Sequence, residues 1–152
     1  MSFHRRFFSV AVVCLVAGML TGCLPPTAEG PTFAEMRPDA SAPAEGMGRI
    51  YIYRALQGRG LIADVRLNGA VIGQGMTNGF FFVDRPPATY TISASDEDRY
   101  DLRLPLAAGD IRYVQLVPQF GILQWKLQPQ LVTESKGQND IGVRRYTGPQ
   151  QP

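Results

Sequence analysis

The chain has 152 residues, and its 15 Lys and Arg nearly balance its 13 Asp and Glu. This length suits one domain of ordinary size. The near balance of charge speaks against a polybasic surface, so we expect no nucleic-acid partner. The single His and the two Cys limit the chemistry that the chain can perform.

The first residues have the three parts of a secretory signal peptide. Arg5 and Arg6 give a positive start, an apolar run follows over residues 7–20, and a small residue, Gly22, comes after it. The apolar run is shorter than the roughly 20 residues of a membrane-spanning helix, although an uncleaved anchor is the alternative. We therefore expect residues 1–22 to be a cleaved signal peptide.

The segment Leu20-Thr21-Gly22-Cys23 resembles the lipobox of bacterial lipoproteins. The resemblance implies cleavage before Cys23 and lipidation of that residue, so that acyl chains would hold the mature protein in a membrane. The residue after the cysteine is Leu24 and not aspartate, which by the same resemblance implies the outer membrane, facing the periplasm.

Removal of the signal peptide would change the chemistry of the chain. The only histidine, His4, would leave with Cys14, and the remaining Cys23 would carry lipid. Without an imidazole or a free thiol, the mature chain has no Ser-His-Asp or Cys-His catalysis, no His or Cys zinc site and no disulfide. We therefore expect a non-catalytic protein without a cofactor or a metal site.

Residues 23–47 contain the predicted lipidation site and a segment rich in Pro and Ala. Such a segment buries too little apolar area to offset its chain entropy, so we expect a disordered tether. Its extended reach would be on the order of 70 Å, enough to hold a domain clear of the lipid headgroups. Phe33 and Met36 are two apolar positions within it that could dock onto the domain.

Residues 48–145 read as strands almost throughout, which predicts an all-β fold. Asn68-Gly69 between two alternating runs indicates a hairpin with a type I′ turn. Gly73-Gln74-Gly75 lacks the helix and the Lys-Ser/Thr pair of a nucleotide loop, and it indicates a turn or bulge. We expect a small, mostly antiparallel β-sandwich of about seven or eight strands and a disordered tail at 146–152. Its expected core residues are Ile50, Ile52, Val65, Leu67, Phe81, Ile92, Leu104, Val114 and Trp125.

The folded part is also similar to a family of bacterial lipoproteins whose domain has no assigned function. The resemblance implies a small β-sandwich and supplies no catalytic residue. It rests on short structural motifs: Gly48-Arg49-Ile50-Tyr51-Ile52-Tyr53-Arg54, Asn68-Gly69, Gly79-Phe80-Phe81, the proline turn before Tyr90, and Ala108-Gly109 before Tyr113-Val114.

The first strand offers the predicted interaction surface. If its isoleucines face the core, Tyr51 and Tyr53 face the other way, flanked by Arg49 and Arg54. Tyr and Arg are enriched at interface hot spots, so we expect these four residues to meet an envelope protein or a cell-wall component. The alternative is that a crossing loop or the Phe33 region covers the tyrosines.

Two other functions remain open at this point. A cell-wall or carbohydrate binder would use Tyr51, Tyr53 and Trp125 as stacking platforms. The alternative is that these aromatic residues simply pack in the core and on the sheet. A glycosidase would need two carboxylates about 5 to 10 Å apart across a cleft. The available carboxylates are Asp64, Asp84, Asp96, Glu97, Asp98 and Asp101.

Overall fold

A computed structural model describes residues 27–36, 42–56, 60–121 and 123–148. The predicted signal peptide (1–22) and the predicted lipidation site Cys23 lie outside the described residues. Within those ranges, no helix is both long enough and apolar enough to cross a membrane.

The described chain folds into two β-sheets that pack face to face, which confirms the predicted all-β sandwich. The described residues form nine strands, where about seven or eight were predicted, and the last strand falls partly in the predicted tail. The first sheet has the order β8-β7-β1-β4-β9 and the second β3-β2-β5-β6. The strands are β1 Gly48–Arg54, β2 Asp64–Leu67, β3 Ala70–Gln74, β4 Gly79–Arg85, β5 Ala88–Ser93, β6 Leu102–Leu106, β7 Ile111–Phe120, β8 Trp125–Val132 and β9 Arg145–Tyr146. The helices are α1 Phe33–Met36, a 3-10 turn Asp98–Tyr100 and α2 Glu134–Ile141.

Strand β1 is the centre of the first sheet. It pairs antiparallel with β4 and parallel with β7, while β9 pairs parallel with β4. Parallel neighbours need a long connection, and the whole second sheet lies in the chain between β1 and β7. The mostly antiparallel arrangement therefore includes two parallel pairs in the sheet that carries the central strand.

The space between the sheets holds the main core. The predicted core residues are buried except for Trp125, whose 57% exposure shows that its assignment to the core was wrong. Trp125 begins β8 at a hairpin end, where its ring lies outside the sandwich. The confirmed core residues are Ile50, Ile52, Val65, Leu67, Phe81, Ile92, Leu104 and Val114.

The β2–β3 hairpin has the predicted turn. Asn68 and Gly69 have φ of 50° and 85°, the left-handed region that a type I′ turn requires at both positions. The Asn68 side chain also accepts a 2.8 Å hydrogen bond from the backbone N–H of Thr91. The pairing register shifts between Val65 and Arg66, which pair with Gly73 and Val71, so the extra residue is Ile72, one position before the predicted Gly73-Gln74-Gly75 segment.

Part of the segment predicted as a tether is folded onto the domain. Thr27 forms a β-bridge with Thr77, and Thr32 forms another with Arg145. The backbone N–H of Tyr146 donates a 2.8 Å hydrogen bond to the Pro31 carbonyl. The expectation of disorder is therefore wrong for residues 27–36, and it is also wrong for Tyr146, which is buried. Backbone pairing of the two end segments with each other supplies the stabilisation that composition alone does not reveal.

Candidate functional site

The predicted interaction surface on β1 is not exposed. Tyr51 and Tyr53 are 2% and 1% exposed, and Arg49 and Arg54 are 4% and 1% exposed. The prediction that these four residues face solvent is wrong. Alternation does put the tyrosines on the face opposite the isoleucines, but segments that are distant in the sequence cover that face.

Tyr51 lies in an aromatic layer on the outer side of the first sheet. Its ring stacks on Tyr113 with centroids 5.1 Å apart, and Phe33 of α1 meets it edge-on at 5.9 Å. Phe33 also contacts Phe80, which in turn packs against Tyr146. The Phe33 region therefore covers the tyrosine face, as the alternative to an exposed surface anticipated.

Tyr53 is covered by α2. Its hydroxyl donates a 2.7 Å hydrogen bond to the Asp140 carboxylate. Burial raises the pKa of the Tyr53 hydroxyl well above its ordinary value, and the Asp140 charge raises it further. The phenol therefore stays neutral and serves as a donor that ties the helix to the sheet.

Arg49 and Arg54 have structural partners. Nε and Nη2 of Arg49 donate to the two Asp84 oxygens at 2.6 and 2.8 Å, and the guanidinium lies 4.2 Å from the centre of the Phe82 ring. Arg54 donates a 3.1 Å hydrogen bond to the Gly75 carbonyl, and burial lowers the pKa of its guanidinium. Both arginines hold elements of the sandwich together.

The most exposed aromatic residues lie at the β7–β8 hairpin. Phe120 and Trp125 form the last pair of the ladder, and their rings meet edge-on with centroids 5.4 Å apart. Phe120 is 63% exposed, and Leu123 in the connection is 89% exposed. Water thus surrounds a cluster of large apolar side chains on a protruding hairpin.

Strand directions show which end of the sandwich this hairpin occupies. β1 and β7 run in parallel, with Arg54 beside Leu116 near their ends. β4 runs the other way and begins at Gly79, so its start lies beside the end of β1. The ends of β1 and β7, the start of β4 and the segment just before β4 therefore share one end of the sandwich.

Most of the exposed large apolar residues gather at this same end. Leu56 follows β1, Ile62 precedes β2 beside the Ala63–Gly75 hydrogen bond, and Val143 precedes β9 next to the start of β4. Val71, beside the Asn68-Gly69 turn, and Leu131, near the end of β8, are the exceptions among the described residues. We define the apolar end as Leu56, Ile62, Phe120, Leu123, Trp125 and Val143.

A shallow depression of about 170 Å³ lies beside Trp125, lined in part by Leu61, Ala94 and Lys126. It is smaller than the roughly 300 to 1,000 Å³ of typical small-molecule sites. Lys126 Nζ forms ion pairs with Asp96 and, at 3.0 Å, with Glu97. Its hydrogen bonds lower the pKa of both carboxyls, the opposite of what a general acid needs.

The predicted carboxylates do not share one cleft. Asp84 is bound to Arg49 at the start of β1, whereas Asp96 lies beside Lys126 at the apolar end. Asp64 is within 3.5 Å of Arg66 on the second sheet. Asp98 and Asp101 lie at the two ends of the 3-10 turn. Asp96 and Glu97 do lie close together, because both contact Lys126 Nζ, but the lowered pKa of each carboxyl does not suit the general acid that the glycosidase hypothesis needs.

Sequence reasoning missed the hairpin as a surface, although a signal was present. Turns between strands are usually polar, yet the connection from Phe120 to Trp125 contains Ile122 and Leu123 and is flanked by two aromatic residues. An apolar turn between aromatic residues is a mark of a contact surface.

Comparison of the chain with protein-family models, with curated proteins and with solved structures found no match.

Proposed function

We propose that this chain is a lipid-anchored envelope protein whose β-sandwich acts through non-covalent contact and not through catalysis. The signal-like leader and the lipobox-like Cys23 support the anchoring, and Leu24 supports the outer membrane, facing the periplasm. The apolar end supports the contact function. It is the one observation that most favours this proposal.

Clustered exposure is what distinguishes the apolar end from ordinary surface. Single exposed apolar residues are common, but the rings of Phe120 and Trp125 are in contact and the exposed Leu123 lies in the same hairpin, and such clustering favours an interaction site. The polar groups next to it are already paired, since Lys126 binds Asp96 and Glu97. This arrangement favours binding over proton transfer.

Fatty-acid labelling tests the anchor. The wild-type chain and a Cys14→Ala variant should incorporate a labelled fatty acid, and a Cys23→Ala variant should not. Cys14 is the matched control because it is the only other cysteine. Equal labelling of wild type and Cys23→Ala would refute lipidation at that residue.

A cell-wall binder is the second candidate, favoured by the Trp125 ring beside the depression. Tyr51 and Tyr53 cannot contribute stacking platforms because they are buried. Titration with soluble peptidoglycan fragments should change the emission of Trp125, the only tryptophan, if sugar rings stack on it. Emission that stays constant at saturating fragment concentration would reject this candidate.

A further inference from the structure

We propose that the apolar end of the sandwich rests in the headgroup region of the same membrane that holds Cys23, with Phe120, Leu123 and Trp125 among the lipids. This inference rests on the proposed lipidation of Cys23. It changes the expected arrangement, because the domain would lie on the bilayer instead of standing clear of it on a long tether.

The chain between the anchor and the domain is short. Thr27 is bridged to Thr77, and the Ala28 N–H donates a 3.1 Å hydrogen bond to the Thr77 carbonyl. Only three residues separate Cys23 from Thr27, so four Cα-to-Cα steps join them. Even fully extended they span at most about 14 Å, compared with the roughly 70 Å expected if the whole segment were free.

The attachment point lies at the apolar end. Thr77 lies two residues before the start of β4, and the first residues of β4 lie beside the end of β1. On the same side, β7 continues four residues beyond Leu116 to Phe120, which is about 13 Å of strand. The β7 extension from Leu116 to Phe120 and the segment from Thr27 to Cys23 are therefore of similar length. We infer that a bilayer holding Cys23 also contacts the hairpin.

The residue types fit the headgroup region. Trp and Phe combine large apolar area with, in Trp, an N–H that stays satisfied near water, and they are common in membrane-interface segments. The neighbouring Asp96 is an exposed acid whose charge is paired with Lys126. The charges beside the hairpin are therefore already paired, and vesicles of neutral phosphatidylcholine test the apolar contact by itself. A protein occupant would have to fit within the short gap that the anchor leaves.

Trp125 provides a specific probe because it is the only tryptophan in the chain. The full-length lipidated protein is reconstituted into phosphatidylcholine vesicles, and its emission is quenched separately by aqueous iodide and by lipids brominated on their acyl chains. Leu123→Asp places a charge on the most exposed residue of the hairpin. Val71→Asp is the control, since Val71 is also an exposed apolar residue, at 56%, but lies near the opposite turn.

The expected result is strong quenching by brominated lipid and weak quenching by iodide, reversed by Leu123→Asp and unchanged by Val71→Asp. Anchored protein whose Trp125 is quenched by iodide and not by brominated lipid would overturn the inference and leave lipidation intact. Protection of Trp125 in native envelope but not in vesicles would also overturn it, in favour of a protein partner. Protein that fails to float with the vesicles would overturn the anchoring itself and this inference with it.

Discussion

The Tyr53 hydroxyl donates a 2.7 Å hydrogen bond to the Asp140 carboxylate and so joins the central strand of the first sheet to the helix that covers it. Lys136, one helical turn before Asp140, forms an ion pair with the same carboxylate. The contact closes one side of the aromatic layer, and it turns a face that could have been a binding surface into a second core.

Removal of this hydroxyl should destabilise the domain. Tyr53→Phe leaves the ring in place but deprives the partly buried Asp140 of a donor, which should cost about 2 kcal/mol for a bond to a charged group. The measurement is the urea dependence of unfolding. Tyr100→Phe, on the 3-10 turn, should stay within about 0.5 kcal/mol. Equal effects of the two changes would show that the Asp140 contact contributes nothing.

The Arg49–Asp84 ion pair should make the unfolding free energy of the domain depend on pH in the acidic range. Burial acts to raise the pKa of the Asp84 carboxyl, but the hydrogen bonds from Arg49 and from the Ala44 N–H outweigh it, and the pKa lies below its ordinary value. Because the folded-state pKa is lowered, the stabilisation is complete above the unfolded pKa of about 3.9 and is lost as the pH falls through the folded-state pKa.

Asp84→Asn should therefore lower the unfolding free energy at pH 7 by about 3 kcal/mol, since it leaves the Arg49 charge buried without its partner. The difference from wild type should shrink below pH 4. Asp64→Asn, which removes the exposed ion pair with Arg66 and leaves an amide oxygen that can accept from Gln74, should cost less than about 1 kcal/mol. A penalty for Asp84→Asn that does not vary with pH would contradict the role assigned to its charge.

Gly137 allows α2 to approach the sheet. A Cβ at this position would lie 2.2 Å from Cγ of Tyr113, so Gly137→Ala should cost about 1 to 3 kcal/mol although alanine is the better helix former. Gly142→Ala is the control. Gly142 has a helical φ of −54°, and a Cβ added there would lie no closer than 3.6 Å to its nearest neighbouring atom. This control should be neutral or stabilise by up to about 1 kcal/mol. Thermal midpoints of the two variants that shift in the same direction would refute the close contact.

Gly69 should resist a β-branched residue for a purely conformational reason. No atom lies within 4 Å of a Cβ added there, but the φ of 85° disfavours Val. Gly69→Val should cost roughly 1 to 2 kcal/mol. Ala70→Val, on the exposed start of β3, should change stability by less than about 0.5 kcal/mol. If Gly69→Val left the urea unfolding midpoint unchanged, position 69 would not require a left-handed backbone conformation.

The sequence predicted the elements whose signals are local. Alternation identified the inward positions Ile50 and Ile52, and Asn68-Gly69 identified its turn, because each depends on a few consecutive residues. The sequence did not predict what covers the outer face. Tyr51 is buried by Phe33 and Tyr53 by Asp140, and no periodicity records a contact between such distant positions.

The error at Trp125 has a related cause. A lone tryptophan in a strand is usually core, but in this hairpin Trp125 is exposed while the neighbouring Lys126 is only 9% exposed. Lys126 is held inward by Asp96, which lies 30 positions away in the chain. The tertiary fold decides which partner a buried charge has. The sequence pattern of β8 alone therefore gives the wrong burial for Trp125 and Lys126.

The position of β9 has a consequence for the order in which the domain assembles. β1 begins at Gly48, yet its neighbour β7 starts only at Ile111. The sheet is completed by Arg145–Tyr146, whose backbone also pairs with residues 31 and 32. Such distant pairings fold slowly because loop closure must come first. Until this last strand arrives, the β4 edge stays open to pairing with other chains.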